Sequence, residues 1–168
     1  MLVRCLGLGV RRFLSKKEKK KLFEELKRVY PSISFSKSDE VEVFEEKNYP
    51  EIIIINGVPT FFRYENIWLP HLKYLLKTGD LFLPRIVIDM GAAKAMLRGA
   101  DLMAPGIRRV DGVFKEGDPV VCVEEKYGKP VMVGIALVES EKLVSGEIRR
   151  GKVAKNIHYV GDRLWRKI

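Results

Sequence analysis

The sequence predicts an α+β protein in two parts. A small α+β N-terminal domain occupies residues 1–82 and a mostly β pseudobarrel occupies 83–168. Three observations carry this. The 168 residues, 46% of them hydrophobic, are enough for one domain or two small ones with packed cores. Helix and strand patterns intermix up to Gly79, whereas short strands separated by turns dominate afterwards. Finally, the net charge of +9 is concentrated at the two ends of the chain.

Leu2–Val10 alternates loosely and reads as a strand. Its Gly7-x-Gly9 is not a phosphate loop, because Arg12 stands at the third glycine position and no Lys-Ser/Thr follows. Ser15 with Glu18 forms a capping box for a helix running to about Val29, before Pro31. Leu22, Leu26 and Val29, with Phe23 and Tyr30, form its apolar stripe, and the lysines occupy the remaining surface. The Ser-rich segment 31–40 is a loop, and Val41–Glu46 alternates as a half-buried strand should. Ile52–Ile55, Asn56-Gly57 and Thr60–Tyr64 spell a hairpin. Pro70 suits the first turn of a helix carrying Leu72, Leu75 and Leu76 and ending near Gly79.

Leu81–Arg85 reads as the junction. Then follow a strand at Ile86–Asp89, a short helix from Ala92 to Arg98 and a Gly/Pro turn. Pro119–Glu125 and Val131–Val138 form a hairpin across Tyr127-Gly128-Lys129-Pro130. Ser140–Val144 is one helical turn, and Lys152–Tyr159 with Leu164–Trp165 supplies the last strand material. Many short strands at close spacing suggest a compact barrel.

Charge narrows the function. Residues 11–28 carry a net +6 and residues 149–168 another +6, so the long middle is mildly acidic. A polyanion-binding face explains such segregation, although lysine-rich ends also serve solubility. No apolar run reaches the ~20 residues of a membrane span. Met1–Val10, broken by Arg4, does not read as a secretory leader, and a cytoplasmic location is expected. Cys5 and Cys122 form no metal-spaced pair, and His71 and His158 are far apart in sequence, so neither metal nor cofactor is expected. The absence of Gln, only four Asn and 32% charged residues match a hyperthermophile tendency.

Ile88-Asp89-Met90-Gly91-Ala92 followed by Leu97-x-Gly99-Ala100-Asp101-Leu102-Met103-x-Pro105-Gly106-Ile107 resembles the signature of a PUA domain. Asn156-Ile157-His158-Tyr159 with Leu164-Trp165 resembles the end of the malignant T-cell-amplified-sequence family of translation factors. So do Asn56-Gly57…Phe61-Phe62-Arg63 and Pro70…Leu72-Lys73…Leu75-Leu76. The resemblance implies a pre-PUA domain followed by an RNA-binding PUA pseudobarrel, similar to archaeal members of that family, without catalysis. It also implies contact with tRNA through the PUA domain, and with small-subunit rRNA or a protein partner through the N-terminal domain, by a chain expected to be a monomer.

Gly91 and Gly99 allow positive φ and close backbone approach to a phosphate, or simply cap a short helix. The resemblance places this helix and the following loop, Gly99-Ala100-Asp101 and Pro105-Gly106, on the RNA-facing surface. Lys94 and Arg98, four apart, would flank a ribose-phosphate backbone, with Asp101 organising the loop. Arg108, Arg109, Arg149, Arg150, Lys152, Lys155, Arg163, Arg166 and Lys167 would extend the same electrostatic surface. Tyr159 and Trp165 are candidates for base stacking, although their apolar spacing favours core packing. Lys16, Lys17, Lys20 and Lys21 are candidates for rRNA or partner contact. Two other functions compete with an RNA-binding role in translation. One is an accessory subunit for RNA modification, such as pseudouridylation or tRNA transglycosylation. The other is a protein-only adaptor using the Val41–Ile55 region.

Overall fold

The computed structural model describes residues 9–79 and 82–168. Most of the Leu2–Val10 strand, Arg4, Cys5, Gly7, Asp80 and Leu81 lie outside the described residues. The chain divides into two compact units, Met1–Pro70 and His71–Ile168.

In the first unit, strand β1 (Val10–Phe13) leads into helix α1 (Lys16–Val29). Ser15 caps α1, its hydroxyl accepting from the Glu18 N–H at 3.2 Å while the Glu18 carboxylate accepts from the Ser15 N–H at 2.8 Å. Four antiparallel strands follow: β2 (Val41–Glu45), β3 (Ile52–Ile55), β4 (Val58–Tyr64) and β5 (Ile67–Pro70). They form a meander in the order β1-β2-β3-β4-β5. The continuous run Ile52–Ile54 is buried on both faces of the sheet, which is why β3 shows no alternation. Leu22 and Leu26 of α1 are buried, and the Phe23 ring stacks on Phe35 with 4.3 Å between centroids.

Two expectations fail in this unit. Val29 is 44% exposed; the helix ends there, and buried Tyr30 completes the stripe, its hydroxyl donating to the Trp68 carbonyl at 2.6 Å. Pro70 does not open a helix but ends β5. Because β5 is the edge of its sheet, the missing proline N–H leaves no ladder bond unmade.

The second unit opens with helix α2 (Leu72–Thr78), N-capped by the His71 imidazole and C-capped by Gly79. Strand β6 (Arg85–Ile88) runs into helix α3 (Met90–Met96), whose N-cap Asp89 accepts from the Ala92 N–H at 2.7 Å. A two-residue strand β7 (Leu102–Met103) and a single 3₁₀ turn at Ala104–Gly106 lead into β8 (Ile107–Asp111). Then come β9 (Pro119–Glu124), β10 (Pro130–Ala136), helix α4 (Ser140–Val144), β11 (Lys152–Tyr159) and helix α5 (Arg163–Lys167). The curled six-stranded sheet has the order β7-β11-β10-β9-β6-β8, with β6 and β9 parallel and the other pairs antiparallel. Ile86, Ile88, Met96, Phe114, Val120, Cys122, Met132 and Val153 fill its interior.

Strands β7 and β8, on either side of the Gly/Pro turn, had no strand signal in the sequence. Arg108 and Arg109 break any apolar alternation in β8, and β7 is too short to show a period. Leu164–Trp165 is helical rather than strand. Asp162 caps that helix by accepting from the Trp165 N–H at 2.7 Å, and two apolar residues cannot distinguish one helical turn from a strand.

Candidate nucleic-acid interface

The segment from α3 to β8 is held against β11 by side chains rather than by a long ladder. The Asn156 amide on β11 donates to the carbonyls of Met96 at 3.1 Å and Ala100 at 2.9 Å. Asp101 accepts from the Asn156 N–H at 2.9 Å and pairs with Lys152 at 3.1 Å. The Asn156 N–H and, after it, the Lys152 ammonium hold the Asp101 carboxyl below the usual aspartate range despite partial burial. The expected organising role of Asp101 is therefore present, but it anchors the loop to β11 rather than to itself. Ala104 N–H donates to the Gly151 carbonyl and Asp89 N–H to the Gly106 carbonyl, both at 2.9 Å.

The glycines act for different reasons than helix capping alone. Gly91 lies within the first turn of α3, its φ outside the left-handed region, which corrects the expectation of positive φ. Gly99 does take φ 91°, and the Tyr159 ring lies 3.5 Å from where its Cβ would be. At Gly106 a Cβ would come within 2.6 Å of the Ala92 Cβ, so glycine lets the 3₁₀ turn sit directly on α3.

A belt of exposed backbone and cations results. Gly91, Lys94, Arg98, Gly99, Ala100 and Pro105 are exposed, with Arg150 and Lys155 on the segments bonded to them. Arg98 lies in the turn just after α3 rather than on the helix, so it shares the α3 end with Lys94 but not a helical face. Among the described residues, Lys94, Arg98 and Arg150 carry no carboxylate partner. Other predicted cations are engaged: Arg108 with Glu125 at 3.2 Å, Arg109 bidentate with Asp111 at 2.7 and 2.9 Å, Arg149 with the Gly146 carbonyl at 2.9 Å. These contacts are exposed, and such pairs are worth only about 0–1 kcal/mol, so a phosphate can compete for the arginines.

Sequence reasoning missed the support beneath the belt. His158, fully buried on β11, places its Nδ1 2.9 Å from the Asp162 carboxylate and accepts at Nε2 from the Leu72 N–H at 3.2 Å. Asp162 also accepts from the Tyr159 N–H at 3.0 Å as well as from Trp165. Burial works to raise the Asp162 carboxyl, but His158 and the two backbone donors outweigh it and hold it below its ordinary value. The His71 ring lies 4.6 Å from that of His158. Burial, reinforced by His158, pushes the His71 imidazole down to about 3. Two histidines distant in sequence are thus neighbours, yet no group of metal-holding residues occurs among the described residues. Tyr159 packs against the core, as its spacing suggested, whereas Trp165 is partly buried with the Lys73 ammonium 5.4 Å above its ring. Arg163 begins α5, and the Arg166 guanidinium donates to the Asp162 carbonyl at 3.3 Å.

On the first unit, Lys16, Lys17, Lys20 and Lys21 are exposed along α1. Lys19 differs, reaching the carbonyls of Lys37 at 2.6 Å and of Asp39. No described helix is long and apolar enough to cross a membrane.

Comparison with known proteins finds a match for each part of the chain. Residues 84–160 match the PUA domain family and residues 10–78 match a domain of unknown function, DUF1947. An uncharacterized protein of Methanocaldococcus jannaschii is 40% identical over 158 residues, covering 92% of this chain and 94% of the relative. Malignant T-cell-amplified sequence 1-A of Xenopus laevis is 32% identical over 133 residues, covering 77% and 72%. Translation machinery-associated protein 20 of Saccharomyces cerevisiae is 25% identical over 153 residues, covering 84% and 83%. Among solved structures, a PUA-domain protein of Aeropyrum pernix in a tartrate complex superposes with a TM-score of 0.84 at 36% identity, covering 94% of this chain and 89% of that one. The order DUF1947 then PUA, carried across nearly the whole chain, makes this protein a member of the malignant T-cell-amplified-sequence and translation machinery-associated 20 family, together with its archaeal relatives.

Proposed function

We propose that this chain is a non-catalytic, cytoplasmic RNA-binding protein of translation, working as a monomer and attaching to structured RNA at two basic surfaces. The observation that carries the reading is the belt at α3, the 98–106 loop and β11. There, exposed glycine backbone lies beside Lys94, Arg98 and Arg150, which carry no carboxylate partner among the described residues. Exposed main chain without Cβ atoms, beside cations that carry no carboxylate partner, suits close approach of a ribose-phosphate backbone. The names of the relatives, a translation machinery-associated protein among them, support the translational setting.

In this reading the PUA domain, residues 83–168, takes tRNA. Gly91, Lys94, Arg98, Gly99, Ala100, Pro105, Gly106, Arg108, Arg149, Arg150, Lys155, Arg163 and Arg166 are its contact residues, and Asp101 holds the loop. The N-terminal domain, residues 1–82, contacts small-subunit rRNA or a protein partner through Lys16, Lys17, Lys20 and Lys21. Crosslinking in native extract, followed by sequencing of the attached RNA, tests it. Recovery of tRNA 3′ ends or small-subunit rRNA is expected, and recovery of messenger fragments alone would overturn it.

A further inference from the structure

The hairpin between β9 and β10 ends in Lys126-Tyr127-Gly128-Lys129, and Tyr127, 70% exposed, is the most exposed aromatic ring among the described residues. Its backbone is unusually well held. Glu124 is buried, and its carboxylate accepts from the N–H groups of Lys126 at 2.6 Å, Tyr127 at 2.9 Å and Lys129 at 3.1 Å. The Glu124 N–H donates to the Lys129 carbonyl at 3.1 Å and the Gly128 N–H to the Glu124 carbonyl at 3.0 Å. A buried carboxylate is thus committed to one surface turn. Burial works to raise its pKa, but the three donors outweigh burial and hold it below the ordinary glutamate value, so it stays ionised and the turn stays closed.

The tip adjoins the belt. Glu125 N–H donates to the Ile88 carbonyl at 2.9 Å, one residue before the N-cap of α3, and the Glu125 carboxylate pairs with Arg108. Both lysines are exposed, and the Lys126 ammonium lies 5.1 Å from the Tyr127 ring centroid. We propose that Tyr127 is a stacking platform for one unpaired base of a bound RNA, with Lys126 and Lys129 taking the phosphates on either side. The inference rests on the RNA-binding reading above and extends it from the α3 belt to the hairpin. Because the turn already holds the Tyr127 backbone, only the two side-chain torsions of the ring need ordering when a base stacks on it, and base–aromatic stacking tolerates any base. The base must be unpaired, because bases within a duplex have both faces covered.

Fluorescence anisotropy with two RNAs tests this: a duplex with a single-stranded extension containing 2-aminopurine, and the same duplex blunt-ended. The wild-type chain, Tyr127→Ala, Tyr127→Phe and the double variant Lys94→Glu/Arg98→Glu are compared. Tyr127→Ala should weaken binding to the extended RNA by about tenfold, within the roughly 5- to 150-fold that loss of one stack produces. It should leave the blunt duplex unchanged and abolish the quenching of 2-aminopurine, while Tyr127→Phe keeps both affinity and quenching. Unchanged affinity and quenching for Tyr127→Ala, with Lys94→Glu/Arg98→Glu still weakened, would overturn the platform and leave RNA binding standing. An equal loss on both RNAs would also overturn it. A wild-type chain that binds neither RNA would overturn both readings.

Discussion

Replacing Asp162 with alanine removes the acceptor on which the end of β11 and the start of α5 converge. Three donors lose their partner: the His158 Nδ1–H at 2.9 Å, the Tyr159 N–H at 3.0 Å and the Trp165 N–H at 2.7 Å. The His158 tautomer is dictated by its other nitrogen, which accepts from the Leu72 N–H, so its Nδ1–H stays a donor and loses the Asp162 carboxylate as acceptor. Loss of an N-cap costs about 1 kcal/mol, and a buried donor left unmade costs about 1–3 kcal/mol. Together these give about 3 kcal/mol, or a roughly 150-fold fall in protection of β11 amides in native-state hydrogen exchange. Asp162→Asn keeps a capping oxygen and should lose only about 1 kcal/mol. Tyr159 and Arg163 flank this node, so RNA affinity should weaken in parallel with protection. Protection in Asp162→Ala within twofold of wild type would mean that the three bonds do not organise this corner.

Other outcomes follow from the same geometry. His71 is held neutral by burial, with its folded pKa near 3 against about 6.5 unfolded. The unfolded chain therefore binds the extra proton, and the stability His71 supports is whole above pH 6.5 and declines as pH falls toward 3. Between pH 7 and pH 5 the loss should be about 2 kcal/mol, read as protection of α2 amides. His71→Asn, which retains a capping oxygen, should flatten that dependence; an unchanged slope would contradict it. Gly134 sits at the bulge of β10, where a Cβ would collide with the Lys155 carbonyl oxygen and come within 2.8 Å of the Met132 Sδ. Gly134→Ala should cost about 1–3 kcal/mol in thermal unfolding, and a variant as stable as wild type would show that the strands part without strain.

Local chemistry was legible where a signal spans few residues. The Ser15/Glu18 capping box, the Asn56-Gly57 turn and the β9–β10 hairpin are all where their residue types place them. Elements whose cause is tertiary were not. Edge strand β5 tolerates Pro70 because no described strand pairs beyond it, and β7 forms where Asn156, Asp101 and Gly151 hold that segment to β11. For the site, the Gly-Ala…Gly-Ala-Asp…Pro-Gly spacing singled out the α3 end and the 99–106 loop, which β11 side chains hold together. It did not show which cations are already paired, because Glu125 and Asp111 are brought to Arg108 and Arg109 by strand register. The His71–His158–Asp162 node was invisible because His71 lies far from the other two in sequence.

If the α3 belt is the RNA-binding surface, RNA affinity depends steeply on salt through its cations. If about four side chains neutralise phosphates, log K should fall against log salt with a slope near −3 for single-stranded RNA. Wild-type affinity should then fall about 50-fold between 50 and 200 mM salt. Lys94→Glu/Arg98→Glu removes two of the cations, so its slope should drop to about −1.4 with weaker binding at every salt concentration. A wild-type affinity insensitive to salt, or a double variant with the wild-type slope, would place the RNA-binding surface elsewhere.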